Sequence, residues 1–121
     1  MHSFKNKVAV ITGAGSGIGQ KLAINLAKEN CHIVICDINK KTIKETEEII
    51  RNYNVSCTAV DLDLKEEENI NTLLETTLKN FGKVDLLFNN AGVVVSSSFL
   101  NLSEKDWAVS YTHLTLPTTR Y

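Results

Sequence analysis

The sequence predicts a doubly wound α/β fold, in which helices cover both faces of a parallel sheet. Two observations support this prediction. Short, almost wholly apolar runs alternate with longer amphipathic segments, and glycine or acidic residues follow several of the apolar runs. A strand buried on both faces of a sheet shows a continuous apolar run. Strict alternation of strand and helix is typical of parallel sheets with right-handed crossovers.

Four strands are predicted, and the sheet order expected for them is 3-2-1-4. They are KVAVIT (residues 7–12), HIVICD (32–37), SCTAVD (56–61) and the first part of KVDLLFNNAG (83–92), which continues into an exit loop. In this order the fourth strand would be an apolar edge. Because an uncovered edge of this kind favours aggregation, the sheet is expected to be part of a larger one.

Three helices are predicted between the strands, each from an apolar stripe at helical spacing. The first covers residues 17–30 with Ile18, Leu22 and Leu26 inward; the second covers 40–52 with Ile43, Ile49 and Ile50 inward; the third covers about 66–81 with Ile70, Leu73, Leu74, Leu78 and Phe81 inward. A fourth helix is expected to begin at Ser103, which is a favourable N-cap residue.

Composition excludes several functional classes. The 121 residues are 43% hydrophobic and 22% charged, with a net charge of −1, as in a soluble globular domain. Such a balance offers no basic face for a nucleic acid. No apolar run approaches the roughly 18 residues that a membrane span needs, and the N-terminus lacks the apolar core of a signal peptide. A cytoplasmic protein without a membrane partner is therefore expected.

The cysteines and histidines do not form a metal-binding pattern. Cys31, Cys36 and Cys57 contain no C-x-x-C pair, and two of them lie in predicted strands, so we expect small buried thiols. The histidines are scattered along the chain at positions 2, 32 and 113, and no metal site is predicted.

The segment TGAGSGIG (residues 12–19) follows the first strand and opens the first helix. Glycines permit a reversal at positive φ and let a pyrophosphate approach the backbone, while the helix N-terminus offers free N–H groups. The spacing G-x-x-x-G-x-G differs both from G-x-G-x-x-G and from a Walker A loop. Since a purely structural turn has no need of four alternating glycines, phosphate binding is predicted.

Asp37 ends the second strand about 20 residues beyond this turn, where an acid hydrogen-bonds the hydroxyls of an adenosine ribose. An acid repels the 2′-phosphate of NADP, and Ser16 supplies no positive charge to bind one, so NAD is favoured. Lys40 and Lys41 leave NADP as the alternative. Asp61, at the end of the third strand, fits either a turn aspartate or a contact to adenine.

The ordered set Thr12-Gly13-x-x-x-Gly17-x-Gly19, Asp37, Asp61-Leu62 and Asn89-Asn90-Ala91-Gly92 resembles the short-chain dehydrogenase/reductase family over roughly residues 5–108, its Rossmann-like cofactor-binding half. The resemblance implies a set of cofactor-binding residues in which Thr12 starts the turn. The pyrophosphate and ribose would contact Gly13, Ser16, Gly17, Ile18 and Gly19; the adenosine would contact Asp37, Asp61 and Leu62; the central ribose region would lie over Asn89, Ala91 and Gly92, with Asn90 fixing the sheet.

The resemblance also implies hydride transfer between a nicotinamide and an alcohol or carbonyl carbon of a small molecule, by a protein that is often a homo-oligomer. Members use a tyrosine as acid and base, a lysine four residues later, a serine and an asparagine of the fourth helix. Here Tyr111 is followed four residues later by Thr115, Leu114 stands where the asparagine is expected, and no lysine follows Lys105. The 121 residues alone are therefore expected to be inactive.

The segment VSYTHLTLPTTRY (residues 109–121) does not continue the fourth helix, because it contains a proline and many β-branched residues without an apolar stripe. It resembles a translated sequencing adapter. The expected division is a dinucleotide-binding half-domain over 1–108 and a non-native tail over 109–121.

Two other functions fit part of the pattern. Methyltransferases that use S-adenosylmethionine share the glycine-rich turn and the acid after the second strand. They also carry an acid shortly before the glycines, where this chain has Val10, Ile11 and Thr12. A non-enzymatic module that binds NAD(H) without turnover is the second alternative.

Overall fold

The computed structural model describes residues 3–15 and 17–90, in which strands and helices alternate along the chain. The elements are β1 (Val8–Thr12), α1 (Gly17–Lys28), β2 (His32–Asp37), α2 (Lys40–Ile50), β3 (Cys57–Asp61), α3 (Glu67–Phe81) and β4 (Leu86–Asn89). The prediction of seven alternating elements in this part is confirmed, with ends that agree to within three residues. The predicted helix from Ser103, the loop residues Ala91 and Gly92, and Ser16 lie outside the described residues.

The four strands form one parallel sheet in the order β3-β2-β1-β4, as predicted. Thr12 is in register with Cys36 of β2 and with Asn89 of β4, and Asp37 is in register with Asp61 of β3. The carboxyl ends of all four strands therefore meet at one edge of the sheet. This carboxyl edge brings together the polar residues that the sequence distributes over about 80 positions.

Alternate strand residues supply two apolar layers, one on each face of the sheet. Ile11, Ile33 and Ile35 pack with buried residues of α1 and α2. Val10, Val34 and Leu87 pack with Ile70, Leu73 and Leu74 of α3. Helices thus cover both faces, and the doubly wound α/β class is confirmed.

Two predicted core residues are exposed instead. Ile18 is 76% exposed and lies in the first turn of α1, whose buried residues begin at Gly19. Ile49 is 38% exposed, whereas its neighbour Ile50 is fully buried. Adjacent helical residues point about 100° apart, so Ile49 and Ile50 cannot both face the sheet.

A buried aspartate with a half-exposed lysine as its partner closes the opposite, amino edge of the sheet. Asp85 is fully buried just before β4, and its Oδ2 accepts a hydrogen bond from the Val8 backbone N–H at 2.8 Å. Lys83 Nζ lies 3.0 Å from the same oxygen. The Asp85 Oδ1 atom has no hydrogen-bond partner among the described residues. Asp85 thereby fixes the entry of β4 beside the start of β1.

Candidate functional site

The glycine-rich turn at the carboxyl edge contains two glycines in the left-handed region of φ. Gly13 has a φ of 66° and Gly17 a φ of 63°, values that are unfavourable for residues with a Cβ. Among residues 3–15 and 17–90, a Cβ on Gly17 would meet nothing within 4 Å, so this part of the chain leaves the outer side of the turn open. A Cβ on Gly19 would instead overlap the Gly13 carbonyl oxygen. Gly13 and Gly17 therefore shape the turn, and the absence of a side chain at Gly19 lets α1 pack against it.

Asp37 lies beside this turn, and two backbone N–H groups hold its carboxylate. Gly15 N–H donates to Oδ2 at 2.8 Å, and Asn39 N–H donates to Oδ1 at 3.1 Å. A Cβ on Gly15 would lie 2.8 Å from Asp37 Oδ2 and would overlap Thr42 Oγ1. Glycine at position 15 therefore allows the close approach of Asp37, a reason that the sequence pattern did not reveal.

The start of α2 satisfies its own free N–H groups. The Asn39 side chain is the N-cap and accepts from Lys41 N–H at 3.0 Å and from Thr42 N–H at 3.1 Å. Lys40 and Lys41 are both exposed at this first turn. This end of α2 therefore contributes positive side chains near Asp37 while its N-cap uses two of the helix's free N–H groups.

The end of β4 is tied to the turn by side-chain hydrogen bonds. Thr12 Oγ1 donates to Asn89 Oδ1 at 3.0 Å, and both residues are buried. Asn90 Nδ2 donates to the Gly13 carbonyl oxygen at 3.3 Å. Thr12, Asn89 and Asn90, which the sequence placed at two strand ends, therefore form one contiguous polar group.

A cleft of about 230 Å³ opens between the carboxyl ends of β1, β2 and β3. It is lined by Gly13, Cys36, Asp37, Ile38, Leu62, Asp63, Leu64 and Lys65. Gly13, Asp37 and Leu62 were predicted site residues, and the cleft brings them together. Asp61 is exposed and does not belong to this lining. Apolar side chains beside carboxylates suit a flat ring joined to a hydroxyl-bearing sugar.

Sequence reasoning missed the other residues of this lining. Ile38 is 69% exposed next to Asp37, and Lys65 is exposed just before α3. An isoleucine directly after a strand-ending acid, outside any apolar run, is the sequence signal that could have identified the mouth of the cleft.

Cys36 lies at the inner wall of the cleft, but it is not a candidate nucleophile. Burial raises the pKa of its thiol to about 12, with nearby Asp37 and Asp61 adding to the effect. Burial raises the pKa of Cys31 and Cys57 to about 12 as well. The prediction of small buried thiols is confirmed for all three cysteines.

Within residues 3–15 and 17–90 no cluster of three or more His, Cys, Asp or Glu side chains is placed to hold a metal ion. The helices of this part of the chain are also too short or too polar to cross a membrane.

The parallel sheet of order β3-β2-β1-β4, with helices on both faces and a cleft at the carboxyl ends of its strands, defines a Rossmann-like α/β protein. Residues 7–114 match the family model of the short chain dehydrogenases. The chain therefore belongs to the short-chain dehydrogenase family, as the resemblance of its motifs implied.

Individual relatives agree with this assignment. The chain is 38% identical over 105 residues to 2-dehydro-3-deoxy-D-gluconate 5-dehydrogenase of Escherichia coli K12, which covers 87% of this chain and 41% of that protein. It is 34% identical over 107 residues to a CLA biosynthesis dehydrogenase/reductase of Lactiplantibacillus plantarum, and the match covers 88% of this chain and 37% of that protein. The crystal structure of an NAD+-bound xylitol dehydrogenase is similar with a TM-score of 0.73 at 28% identity, covering 97% of this chain and 45% of that one.

The 121 residues thus span about two fifths of the length of these curated relatives. The matched part contains the sheet, the glycine-rich turn and the cleft.

Proposed function

We propose that this chain binds NAD(H) and is the cofactor-binding part of an oxidoreductase. The observation that carries the proposal is the carboxylate of Asp37, which two backbone N–H groups hold at the mouth of the cleft beside the glycine-rich turn. A carboxylate in this position accepts hydrogen bonds from the two hydroxyls of an adenosine ribose.

The pyrophosphate is assigned to the open side of the turn. The free N–H groups at the start of α1 and the positive end of its helix dipole favour an anion there. The space outside Gly17 and the exposed side chain of Ile18 support a ligand that passes over this first turn. The residues proposed to contact pyrophosphate and its adjoining ribose are Thr12, Gly13, Ser16, Gly17, Ile18 and Gly19.

The adenine is assigned to the cleft, where Leu62 and Ile38 provide apolar surface. Asp61 is proposed to act from the rim, since it is exposed in register with Asp37. The central ribose region is assigned to Asn89, Ala91 and Gly92 at the exit of β4.

NAD is proposed over NADP because two carboxylates, Asp37 and Asp63, line the cleft and repel a 2′-phosphate. The NAD+-bound state of the similar xylitol dehydrogenase structure supports the same choice. Lys65 in the lining and the exposed Lys40 and Lys41 favour NADP, which is therefore the competitor to test.

The nicotinamide of such a cofactor accepts or gives up a hydride. We propose that the whole protein uses it on an alcohol or carbonyl carbon of a small molecule and that it is a cytoplasmic homo-oligomer. The described residues bind and orient the cofactor, whereas the catalytic tyrosine, lysine and serine of the family are not present in these 121 residues.

Ligand competition tests the proposal with the protein expressed from its complete gene. NADH binding is followed by the change in its fluorescence, and NADPH and S-adenosylmethionine are added as competitors. We expect NADH to be displaced weakly by NADPH and not at all by S-adenosylmethionine. Displacement by S-adenosylmethionine would favour the methyltransferase alternative. NADH binding without turnover of any alcohol or carbonyl compound would favour the non-enzymatic module.

The division into a half-domain over 1–108 and a non-native tail over 109–121 also stays a proposal. One continuous sequencing read of the gene across the Trp107 codon tests it. We expect the frame to continue into an Asn, a Ser and a Tyr-x-x-x-Lys motif. A gene that encodes residues 109–121 and then stops would contradict the division and the assignment as an enzyme.

A further inference from the structure

Thr46, in the middle of α2, is a fully buried polar residue that contacts the glycine-rich turn. Its Oγ1 lies 2.9 Å from the Ala14 carbonyl oxygen, 3.2 Å from that of Thr42 and 3.4 Å from that of Gly15. A polar residue on the sheet-facing side of a helix, between Ile43 and Ile50, requires hydrogen-bond partners there. The turn supplies two of them.

The shortest contact of the Thr46 hydroxyl to a carbonyl oxygen is with the turn. A hydroxyl donates one proton and accepts through two lone pairs. A threonine within a helix commonly donates to the carbonyl four residues earlier, here that of Thr42. The Ala14 oxygen is nearer, so the hydroxyl links α2 to the turn rather than only to its own helix.

Gln20 of α1 completes this arrangement. Its Nε2 donates to Thr46 Oγ1 at 2.9 Å and lies 3.5 Å from the Gly15 carbonyl oxygen. A hydroxyl that accepts one hydrogen bond donates a stronger one, because linked hydrogen bonds polarise one another. The side chains of Gln20 and Thr46 thus hold two successive carbonyls of the turn from the side of the two helices.

The position of one peptide unit connects this arrangement to Asp37. The Ala14 carbonyl and the Gly15 N–H belong to the same planar trans peptide and point in opposite directions. Thr46 holds the carbonyl at 2.9 Å, while Asp37 Oδ2 accepts from the N–H at 2.8 Å. Rotation of this peptide would break both hydrogen bonds together.

We propose that Thr46 and Gln20 are positioning residues for the nucleotide site. By fixing the peptide between Ala14 and Gly15, they fix the carboxylate of Asp37 in the orientation that accepts the ribose hydroxyls. The expected effect on NADH binding rests on the proposed function. The orientation of the peptide does not depend on it. Glycine-rich turns lose much conformational entropy on ordering, so a preformed turn binds more tightly than a mobile one.

Substitution of Thr46 tests the proposal, with the protein expressed from its complete gene. Thr46→Val keeps the shape and removes the hydroxyl, and Thr46→Ser restores it. Gln20→Leu is a milder change, because Gln20 is only partly buried. Thr77→Val is the matched control: Thr77 is also fully buried, but its Oγ1 donates to the Leu73 carbonyl at 2.8 Å within α3 on the other face of the sheet.

Two measurements are made on each variant. The first is the amide proton resonance and hydrogen exchange of Gly15 by NMR without nucleotide. In Thr46→Val we expect the resonance to move upfield and exchange to accelerate, since the bond to the carboxylate is lost, and we expect Thr46→Ser to restore both. The second is NADH affinity, for which we expect a Kd about five- to tenfold higher in Thr46→Val, a smaller rise in Gln20→Leu and no change in Thr77→Val.

An unchanged Gly15 amide in a folded Thr46→Val or Gln20→Leu protein would overturn the proposal. So would an equal loss of NADH affinity in Thr77→Val, because it would indicate a general loss of stability. If the wild type itself bound no NADH, the proposed function would fail, while the Gly15 amide would still decide whether Thr46 orients the peptide.

Discussion

Each edge of the sheet carries an aspartate that backbone N–H groups hold, yet the two carboxylates differ in their surroundings. Asp85 at the amino edge is fully buried and paired with Lys83. Asp37 at the carboxyl edge is partly exposed and lines the cleft. We infer that burial and a paired cation make Asp85 structural, whereas an open side leaves Asp37 available to a ligand.

Loss of Asp85 is expected to have the largest effect on stability and none on binding. Asp85→Ala leaves the Val8 N–H without its buried acceptor, a change that costs about 1–3 kcal/mol of the free energy of unfolding, while the half-exposed Lys83 is left to the solvent. The NADH affinity of the folded protein is expected to stay within about twofold of the wild-type value, because Asp85 and Asn89 lie about 13 Å apart along the strand. Urea denaturation and NADH titration check the two parts.

Arg51→Gln is the control for Asp85→Ala. It removes the exposed ion pair between Arg51 and Glu47 one helical turn apart, and such pairs contribute about 0–1 kcal/mol. A loss of NADH affinity in Asp85→Ala would contradict the separation of the two edges.

Substitution at Gly15 is expected to weaken NADH binding rather than mainly to lower the stability. In Gly15→Ala the new Cβ would lie 2.8 Å from Asp37 Oδ2, so the carboxylate or the turn must move. A displaced charge-assisted hydrogen bond corresponds to about tenfold weaker NADH binding. The control Gly82→Ala at the C-cap of α3 places a Cβ at a φ of 77° where no described residue lies within 4 Å. It should lower the stability by about 1 kcal/mol and leave the Kd unchanged; equal Kd values for Gly15→Ala and the wild type would be the contrary result.

The smallest predicted effect of a single residue is a dependence of stability on alkaline pH, to which each buried thiol contributes. Burial raises the thiol pKa from 9.0 to about 12 for Cys31 and Cys57 near the amino edge and for Cys36 at the carboxyl edge. Between these values the unfolded chain loses the thiol proton and the folded chain keeps it. The stability present below pH 9 therefore falls as the pH rises toward 12, by about 1 kcal/mol per thiol at pH 10.

Denaturation curves at pH 8 and pH 10 test this dependence. Cys31→Ala and Cys36→Ala should each reduce the fall by the share of one thiol. If Cys36→Ala did not reduce the fall in stability while Cys31→Ala did, the inner wall of the cleft at Cys36 would be open to solvent.

The sequence predicts the fold well because each element has its own periodicity, and parallel topology then places Thr12, Asp37 and Asn89 at one edge. Its errors have local causes. Spacing counts Ile18 as a core residue because it continues the apolar stripe, but spacing does not show that the first turn of α1 is exposed. The error at Ile49 was avoidable, because the turn of about 100° between neighbouring helical positions keeps Ile49 and Ile50 from sharing one face.

The interactions that fix the site were not predictable in the same way. Thr46 lies 32 residues from Ala14, and Gln20 lies 26 residues from Thr46. Their contacts depend on how α1 and α2 pack over the turn, and no local pattern records that. A buried threonine on an apolar helix face was the one available signal.

The ratio of NADPH to NADH dissociation constants, measured for the wild type and for Asp37→Asn, tests the central claim most directly. Asparagine can still accept from the Gly15 N–H, but it carries no charge to repel a 2′-phosphate. We predict that the wild type binds NADH at least tenfold more tightly than NADPH and that Asp37→Asn brings the ratio close to one. A wild type that binds both nucleotides equally, or a ratio that Asp37→Asn leaves unchanged, would contradict the account.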